Sequence, residues 1–376
     1  MQKKIQVGII GGGLAGLCTA LHLNKLGISC IVWEKGEYPR HKVCGEYVSF
    51  ETLQYLNYLG YNPFNDGAIN INELQVSHWN GNIAHSKLAQ GAFGISRYKF
   101  DNALYQLAIK NGVNINLNES VTSFTKNENY FEIKTSNNHS YYVELLISAH
   151  GKKSNIDRIM DREFFQKDND YIGVKYHYKF NLPSNLVSLH NFETGYCGVS
   201  MVENEIINVC YLSTKTELKK FGTIEELEKN ILWKNPFLKD LFTNGEKMFA
   251  EPKVISDFSF KPKKPIENHV IMIGDAAGLI TPLCGNGMAM AIHAAFIVSN
   301  LLNEYFTNKI SINLLEKKYT SEWKTNFQSR LDFGYKVQKM FGKKNISSIA
   351  LKSLQVAPFM LPAIIKKTHG KDFFKG

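Results

Sequence analysis

The chain has only six cysteines, at Cys18, Cys30, Cys44, Cys197, Cys210 and Cys284, and none of them forms a CxxC pair. That scatter argues against a disulfide framework and against a structural zinc site, so no metal is expected. It suits a reducing, cytoplasmic location. No apolar run reaches the roughly 18 to 20 residues that a membrane span needs. Internal repeats, low-complexity tracts and nucleic-acid-binding modules are also missing, so nucleic acid is not an expected partner. Acidic residues are the scarcer charge: 34 Asp and Glu against 44 Lys and Arg leave a net +10 over 376 residues. An excess of that sign attracts anions. With lysines dispersed over most of the chain, it reads as solubility plus attraction for an anionic cofactor.

What the sequence does contain begins at Val7. Val7 to Ile10 form an apolar strand, followed by Gly11, Gly13 and Gly16 in the GxGxxG spacing. An apolar helix face follows through Leu23, then a second strand, Ser29 to Trp33, ending at Glu34. In such a unit Gly11 allows the tight turn, Gly13 lets a pyrophosphate approach the backbone, and Gly16 permits close helix–strand packing. Leu14 and Ala15 open a helix whose N-terminus presents partial positive charge to phosphates. Glu34 is placed to accept hydrogen bonds from both ribose hydroxyls of an adenosine, and it would repel a 2′-phosphate. The Lys3–Lys4 start resembles a secretion signal only superficially. The nucleotide fingerprint lies inside the apolar stretch, which therefore reads as structure.

Farther on, Lys35 to Gly45 is a polar loop and Glu46 to Gly60 reads as a helix with apolar Val48, Leu53, Leu56 and Leu59. Residues 61–95 read as strands and turns, Lys99 to Lys110 as an amphipathic helix, and three or four runs within 171–213 as an antiparallel sheet with one packed and one ligand-facing side. A late apolar strand, His269 to Ile273, ends in Gly274–Asp275, where doubly wound sheets place ligands. Gly285, Asn286 and Gly287 form a turn at the start of a small-residue helix, with Asn286 a plausible N-cap. Two such sites on distant segments suit an elongated dinucleotide with a ring at its far end, FAD rather than NAD. Asp275 would bind the polyol chain, and the helix start would stabilise negative charge on the reduced ring.

At these residues the chain resembles the FAD-dependent oxidoreductases that include para-hydroxybenzoate hydroxylase-type monooxygenases and geranylgeranyl reductases, over about residues 5–305. Gly11–Gly16 with Glu34 matches the adenosine site, Arg97 matches a cofactor-contacting arginine, and Gly274–Asp275 matches the ribitol motif. Pro282, Gly285, Asn286, Gly287 and Met288 match the segment beside the flavin ring. The Lys42-Val43-Cys44-Gly45-Glu46 run looks like the reductase-type loop near the flavin, and Lys35 and Lys42 are counted with the cofactor contacts. Two departures stand out. His150–Gly151 replaces the usual Asp-Gly, and of the reductases' aromatic strand motif only Tyr196 is kept, with Gly198 and Ser200 following. The halogenase Trp-x-Trp-x-Ile-Pro signature is absent.

The resemblance implies an α/β fold: a Rossmann-like, glutathione-reductase-type FAD-binding domain, an inserted antiparallel β-sheet substrate domain and a C-terminal helical region. The expected segments are 1–75, 96–165 and 262–305 for FAD, 76–95 and 166–261 for the substrate domain, and 306–376 for the basic tail. It further implies NAD(P)H as electron donor and an apolar or aromatic small-molecule substrate. The leading reading is an NAD(P)H-dependent monooxygenase. The others are a prenyl double-bond reductase and a flavoprotein without turnover. Cys44 reads either as a pocket thiol or as an inert loop cysteine, and Tyr196 either lines the substrate face or simply packs. Glu46 reads as a solvated acid at a helix start, or else as a group that orients Lys42 or accepts a proton. His293 reads as a packed histidine. The tail, rich in lysine and apolar residues, reads as packed helices, as a lid, or as a peripheral membrane contact.

Overall fold

The computed structural model describes residues 5–166, 170–256, 258–341 and 359–374. The first strand, Ile5–Ile10, sits inside a parallel sheet with Cys30–Trp33 on one side and Ser140–Ser148 on the other. Asn114–Asn116 and Val270–Met272 extend it in parallel at either end, and Ile266–Glu267 closes one edge antiparallel. Val7, Ile9, Val32, Ile147 and Met272 have no exposed surface, as expected of strands covered on both faces. Strands Val121–Lys126 and Phe131–Thr135 branch off Ser140–Ser148 as an antiparallel meander.

The four β-rich runs of residues 171–213 are strands Tyr171–Lys179, Leu186–Phe192, Gly195–Val202 and Ile206–Thr214 of a second sheet. Side-chain alternation splits its faces. Val174, Tyr176, Tyr178, Cys197, Val199, Ile207, Val209 and Tyr211 pack against Leu227, Ile231, Leu238 and Leu241 of the helical segment behind it. Lys175, His177 and Asn208 on the other side reach the 42–46 loop of the nucleotide-binding unit.

Three expectations are corrected. Glu46 to Gly60 is not one helix: Tyr47–Ser49 is a strand paired with Ala92–Gly94, and the α-helix covers only Leu53–Leu59. Cross-strand hydrogen bonds to a distant segment override the local apolar spacing. The strands of residues 171–213 pair antiparallel as expected, but the sheet they belong to is mixed, because Ile69–Ser77 runs parallel to Leu186–Phe192. By their pairing, residues 47–49 and 69–75 belong to this sheet, although the sequence groups them with the nucleotide-binding segments.

Part of the tail expected to be helical forms one long helical run. It runs as Ile312–Trp323 and Ser329–Phe341 joined through a π-helical turn, Lys324–Gln328. The last described helix, Met360–Thr368, packs Leu361 and Ile365 on Ile71, Leu74, Ala84 and Leu88 of the second sheet. Phe373 then stacks on His293 at 4.0 Å between ring centroids. The tail is therefore packed where it is described. Lys343, Lys344 and Lys352 lie outside the described residues.

Candidate functional site: a dinucleotide cleft facing the second sheet

The site begins at the turn after the first strand. Gly11 has φ +102°, and a Cβ there would stand 2.6 Å from the Ala149 carbonyl oxygen, so only glycine is tolerated. A Cβ at Gly16 would collide with the Gly11 carbonyl, while at Gly13 the nearest atom is the Lys42 Nζ, 3.8 Å away. The helix Leu14–Lys25 starts at Gly13 without a side-chain cap, although Leu14 and Ala15 are buried. A buried helix start with uncapped N–H groups is the signature of an absent acceptor.

Glu34, buried at the end of Cys30–Trp33, accepts from the Gly12 N–H at 2.9 Å and the Gly36 N–H at 3.0 Å. Arg40 pairs with its other side at 2.7 Å, and the Tyr38 hydroxyl donates to the Gly12 carbonyl. The acid is thus held against the glycine turn. Lys35 is exposed and stands outside this group.

Two cations flank the turn. Lys42 Nζ lies 2.7 Å from Asp101 Oδ2, and Arg97 holds both Asp101 oxygens at 2.6 and 2.7 Å. Asp101 has no exposed surface. Burial alone would raise its pKa, but Arg97 and Lys42 outweigh that and hold it down to about 2. One carboxylate against two cations leaves net positive charge beside the glycines, where a pyrophosphate needs it.

The second glycine turn is brought to the first. Gly274 has φ +61°, and a Cβ on it would stand 3.2 Å from Ala15 Cβ and 3.4 Å from Ala291 Cβ. It is therefore wedged between the first helix and the long helix Gly287–Phe306. Asp275 beside it is partly buried, and its carboxylate has no hydrogen-bond partner among the described residues. Its carbonyl accepts from the Lys263 Nζ at 2.8 Å. Pro282–Cys284 form a short turn, Gly285 follows with φ +63°, and the long helix begins with Met288 buried and no side-chain cap.

Asn286 sits at that start but does not cap it with its side chain. Its Nδ2 donates to Glu51 Oε1 at 3.0 Å, and its Oδ1 accepts from Arg330 at 2.8 Å. Two stronger, charged partners outcompete the local N–H groups. Uncapped buried helix starts, a free carboxylate and clustered cations around two touching glycine turns are what FAD requires, so the residues fit that cofactor.

Across the cleft, the sheet-facing residues also depart from expectation. Glu46 is not solvated. It has no exposed surface, takes φ +54°, and its carboxylate accepts from the Arg97 N–H at 2.6 Å, from His177 Nε2 at 2.7 Å and from the Lys175 ammonium. Burial opposes its charge, but Lys175 and His177 more than offset that and lower its pKa. Cys44, half-buried, faces the Arg97 guanidinium. Tyr196 is 2% exposed, and its hydroxyl meets only the Leu283 backbone, without a well-formed hydrogen bond among the described residues. It lies in an apolar group with Leu212, Phe258, Phe260 and Leu279, with Leu283 packed against them. At Gly198, next on the same face, a Cβ would sit in ordinary contact with the Cys210 carbonyl oxygen at 3.7 Å and Leu189 Cδ2 at 3.9 Å. His293 is packed against Phe373 and Phe327, and burial lowers its pKa to about 3.

The His150 departure is also resolved. Its Nδ1 meets Ser148 Oγ at 2.7 Å and its Nε2 meets Asp157 Oδ1 at 3.0 Å. The carboxylate of this region therefore comes from Asp157, seven residues later, and binds the imidazole, while the His150 backbone lies against Gly11. The buried Arg162 ties the same Asp157 to Glu267.

Sequence reasoning missed Asp101, Arg40, Asp157, Lys175, His177 and Asn208. Asp101 alone carried a usable signal, four residues after Arg97 on one helix face. The others meet the site only through folds of the chain that place distant segments together.

The family described as FAD binding domain matches residues 4–222. A digeranylgeranylglycerophospholipid reductase of Methanococcus vannielii is 22% identical over 401 aligned residues, spanning all of this chain and 98% of that protein. Among solved structures, a geranylgeranyl bacteriochlorophyll reductase-like protein of Thermoplasma acidophilum superposes with a TM-score of 0.76 at 18% identity, covering 99% of this chain and 94% of the other. The P. aeruginosa protein PqsL, in complex with 2-aminobenzoylacetate, superposes with a TM-score of 0.77 at 14% identity, covering 92% and 98%. With the glycine turns, the acid at Glu34 and the family match in agreement, the chain belongs to the FAD binding domain family of flavin-dependent oxidoreductases.

Proposed function

We propose that this chain is an NAD(P)H-dependent flavin monooxygenase acting on an apolar or aromatic small molecule that carries one hydrogen-bonding group. The observation behind it is the Tyr196 hydroxyl, which meets only the Leu283 backbone, without a well-formed hydrogen bond, in an apolar group with Leu212, Phe258, Phe260 and Leu279. A polar atom left short of hydrogen bonds in an apolar wall costs up to roughly 1–3 kcal/mol, which a ligand with a matching donor or acceptor would recover.

Glu34, Arg97, Lys42 and Asp275 would hold FAD, with the helix starts at Leu14 and Gly287 facing its phosphates and ring. Bound flavin supplies two-electron redox chemistry and, with dioxygen, oxygen transfer. The protein's part is orientation and exclusion of water. The aromatic group around Tyr196 keeps the substrate side dry, which strengthens every polar contact inside it. Arg97 and Lys42 keep the phosphate side positive, and Glu46 carries its charge away from the cleft into Lys175 and His177.

A second reading, reduction of a prenyl double bond, is favoured by the Cys44 loop and by the full-length likeness to the Methanococcus reductase. Oxygen uptake separates the two. A monooxygenase consumes oxygen in step with substrate and stops under anaerobic conditions. Anaerobic turnover driven by a chemical reductant, with no oxygen requirement, contradicts the first reading and supports the second.

A further inference from the structure

The loop Lys42–Glu46 has no regular secondary structure before the strand Tyr47–Ser49, yet each of its backbone carbonyls is held. The Lys42 carbonyl accepts from Lys175 Nζ at 3.2 Å, and the Val43 carbonyl accepts from Lys152 Nζ at 3.2 Å. Asn208 Nδ2 donates to both the Cys44 carbonyl at 3.3 Å and the Gly45 carbonyl at 2.9 Å. The Glu46 carbonyl accepts from the Ile95 N–H at 3.2 Å. The Glu46 side chain then closes the set on Lys175, His177 and the Arg97 N–H.

Lys175 is engaged twice, at the first and last residues of the loop. Lys175 and Asn208 project from adjacent strands of the second sheet, in register as Lys175 opposite Cys210 and His177 opposite Asn208. Surface loops satisfy their carbonyls with water. Here Lys175 and Asn208 of the second sheet hold three of the five carbonyls, Lys152 and the Ile95 N–H hold the other two, and Lys175, Asn208 and the Glu46 partner His177 are all buried.

We propose that Glu46, Lys175 and Asn208 form a clamp that fixes the Lys42–Glu46 loop to the second sheet and so sets where the Cys44 thiol and the Lys42 ammonium stand. Lys42 faces the glycine turn and pairs with Asp101, while Cys44 faces Arg97. The clamp residues touch neither a reacting atom nor the glycine turn, so they are positioning residues. The left-handed backbone at Glu46 turns its carboxylate away from the cleft and into the sheet. A geometry with φ +54° in a residue other than glycine persists only where the surroundings hold it. The functional importance of this clamp rests on the flavin reading above, whereas its existence does not.

The test is the alkylation rate of Cys44 by iodoacetamide in the full-length protein, mapped by peptide mass spectrometry, with flavin content read from the same samples by absorbance. Glu46→Gln and Asn208→Ala are each expected to raise the Cys44 rate at least tenfold. Cys18, Cys197 and Cys284, which are buried, should stay unlabelled in both variants. Lys175→Arg, which keeps the charge, should fall between them and the parent. Asn208→Ala leaves no unpaired charge and decides the matter if Glu46→Gln does not fold. A Cys44 rate equal to the parent's in folded Asn208→Ala overturns the clamp, and so does equal labelling of every cysteine, which signals general loosening. A parent protein that takes up no flavin sinks the functional reading instead, and the alkylation comparison stands apart from it.

Discussion

Asp101 keeps its charge with no contact to solvent because Arg97 and Lys42 hold both of its oxygens. Its folded pKa, about 2, lies below the ordinary 3.8. The stabilisation linked to that shift, roughly 2 kcal/mol, is therefore fully present above about pH 4 and is lost as pH falls through the folded value. Urea unfolding of the parent and of Asp101→Asn should show a gap in stability near pH 5 that narrows toward pH 2. A gap independent of pH means that the ion pairs are not its source. At this scale the sequence was legible where chemistry is local. Gly11, Gly16 and Glu34 act on neighbours within one βαβ unit, and each stands where its spacing required. Asp157 holding the His150 imidazole, or Lys175 gripping residue 42, depends on contacts that no local pattern encodes.

Among elements, the decisive contact is the one between the turn at Gly274 and the helices at Ala15 and Ala291. Gly274→Ala places a methyl group 3.2 Å from Ala15 Cβ and forces a side chain onto a backbone at φ +61°. The expected cost is about 1–3 kcal/mol, together with a weakened hold on flavin. Thermal unfolding and flavin content check it, and a variant with unchanged melting temperature and flavin would show that the turn is not under constraint. The long helices and the buried parallel strands were readable because periodicity and apolar runs mark them. Tyr47–Ser49 was misread because its partners, Ala92–Gly94, lie more than forty residues away, and a three-residue strand has no period of its own. The short strand matters functionally, since it follows the loop that carries Cys44.

For the whole molecule, two sheets are tied together through the 42–46 loop: the first strand of the parallel sheet runs into the glycine turn, while the second sheet brings Lys175, His177 and Asn208 to that loop and Tyr196 to an apolar group with Phe258 and Phe260. The tail packs on the second sheet through Leu361 and Ile365. Its final helix buries Leu361 while leaving Phe359 79% exposed and Lys366, Lys367 and Lys371 toward solvent. Among the described residues no helix is long and apolar enough to cross a membrane. Of the sequence readings of the tail, a peripheral membrane contact would fall to this lysine-bearing face on anionic lipid. Co-sedimentation with anionic vesicles at low salt, reversed by high salt, supports that reading over packing alone, and no binding at low salt contradicts it. That the tail packs as helix was among the sequence readings, but its partners, Ile71, Ala84 and His293, come from three separate segments that no local pattern names.

The central claim is that both glycine turns grip one FAD, and the visible absorption spectrum of the purified protein tests it most directly. The parent should carry the flavin bands, and the double variant Glu34→Ala with Asp275→Ala should be colourless while still folded. A double variant with the parent's full flavin content would contradict the account.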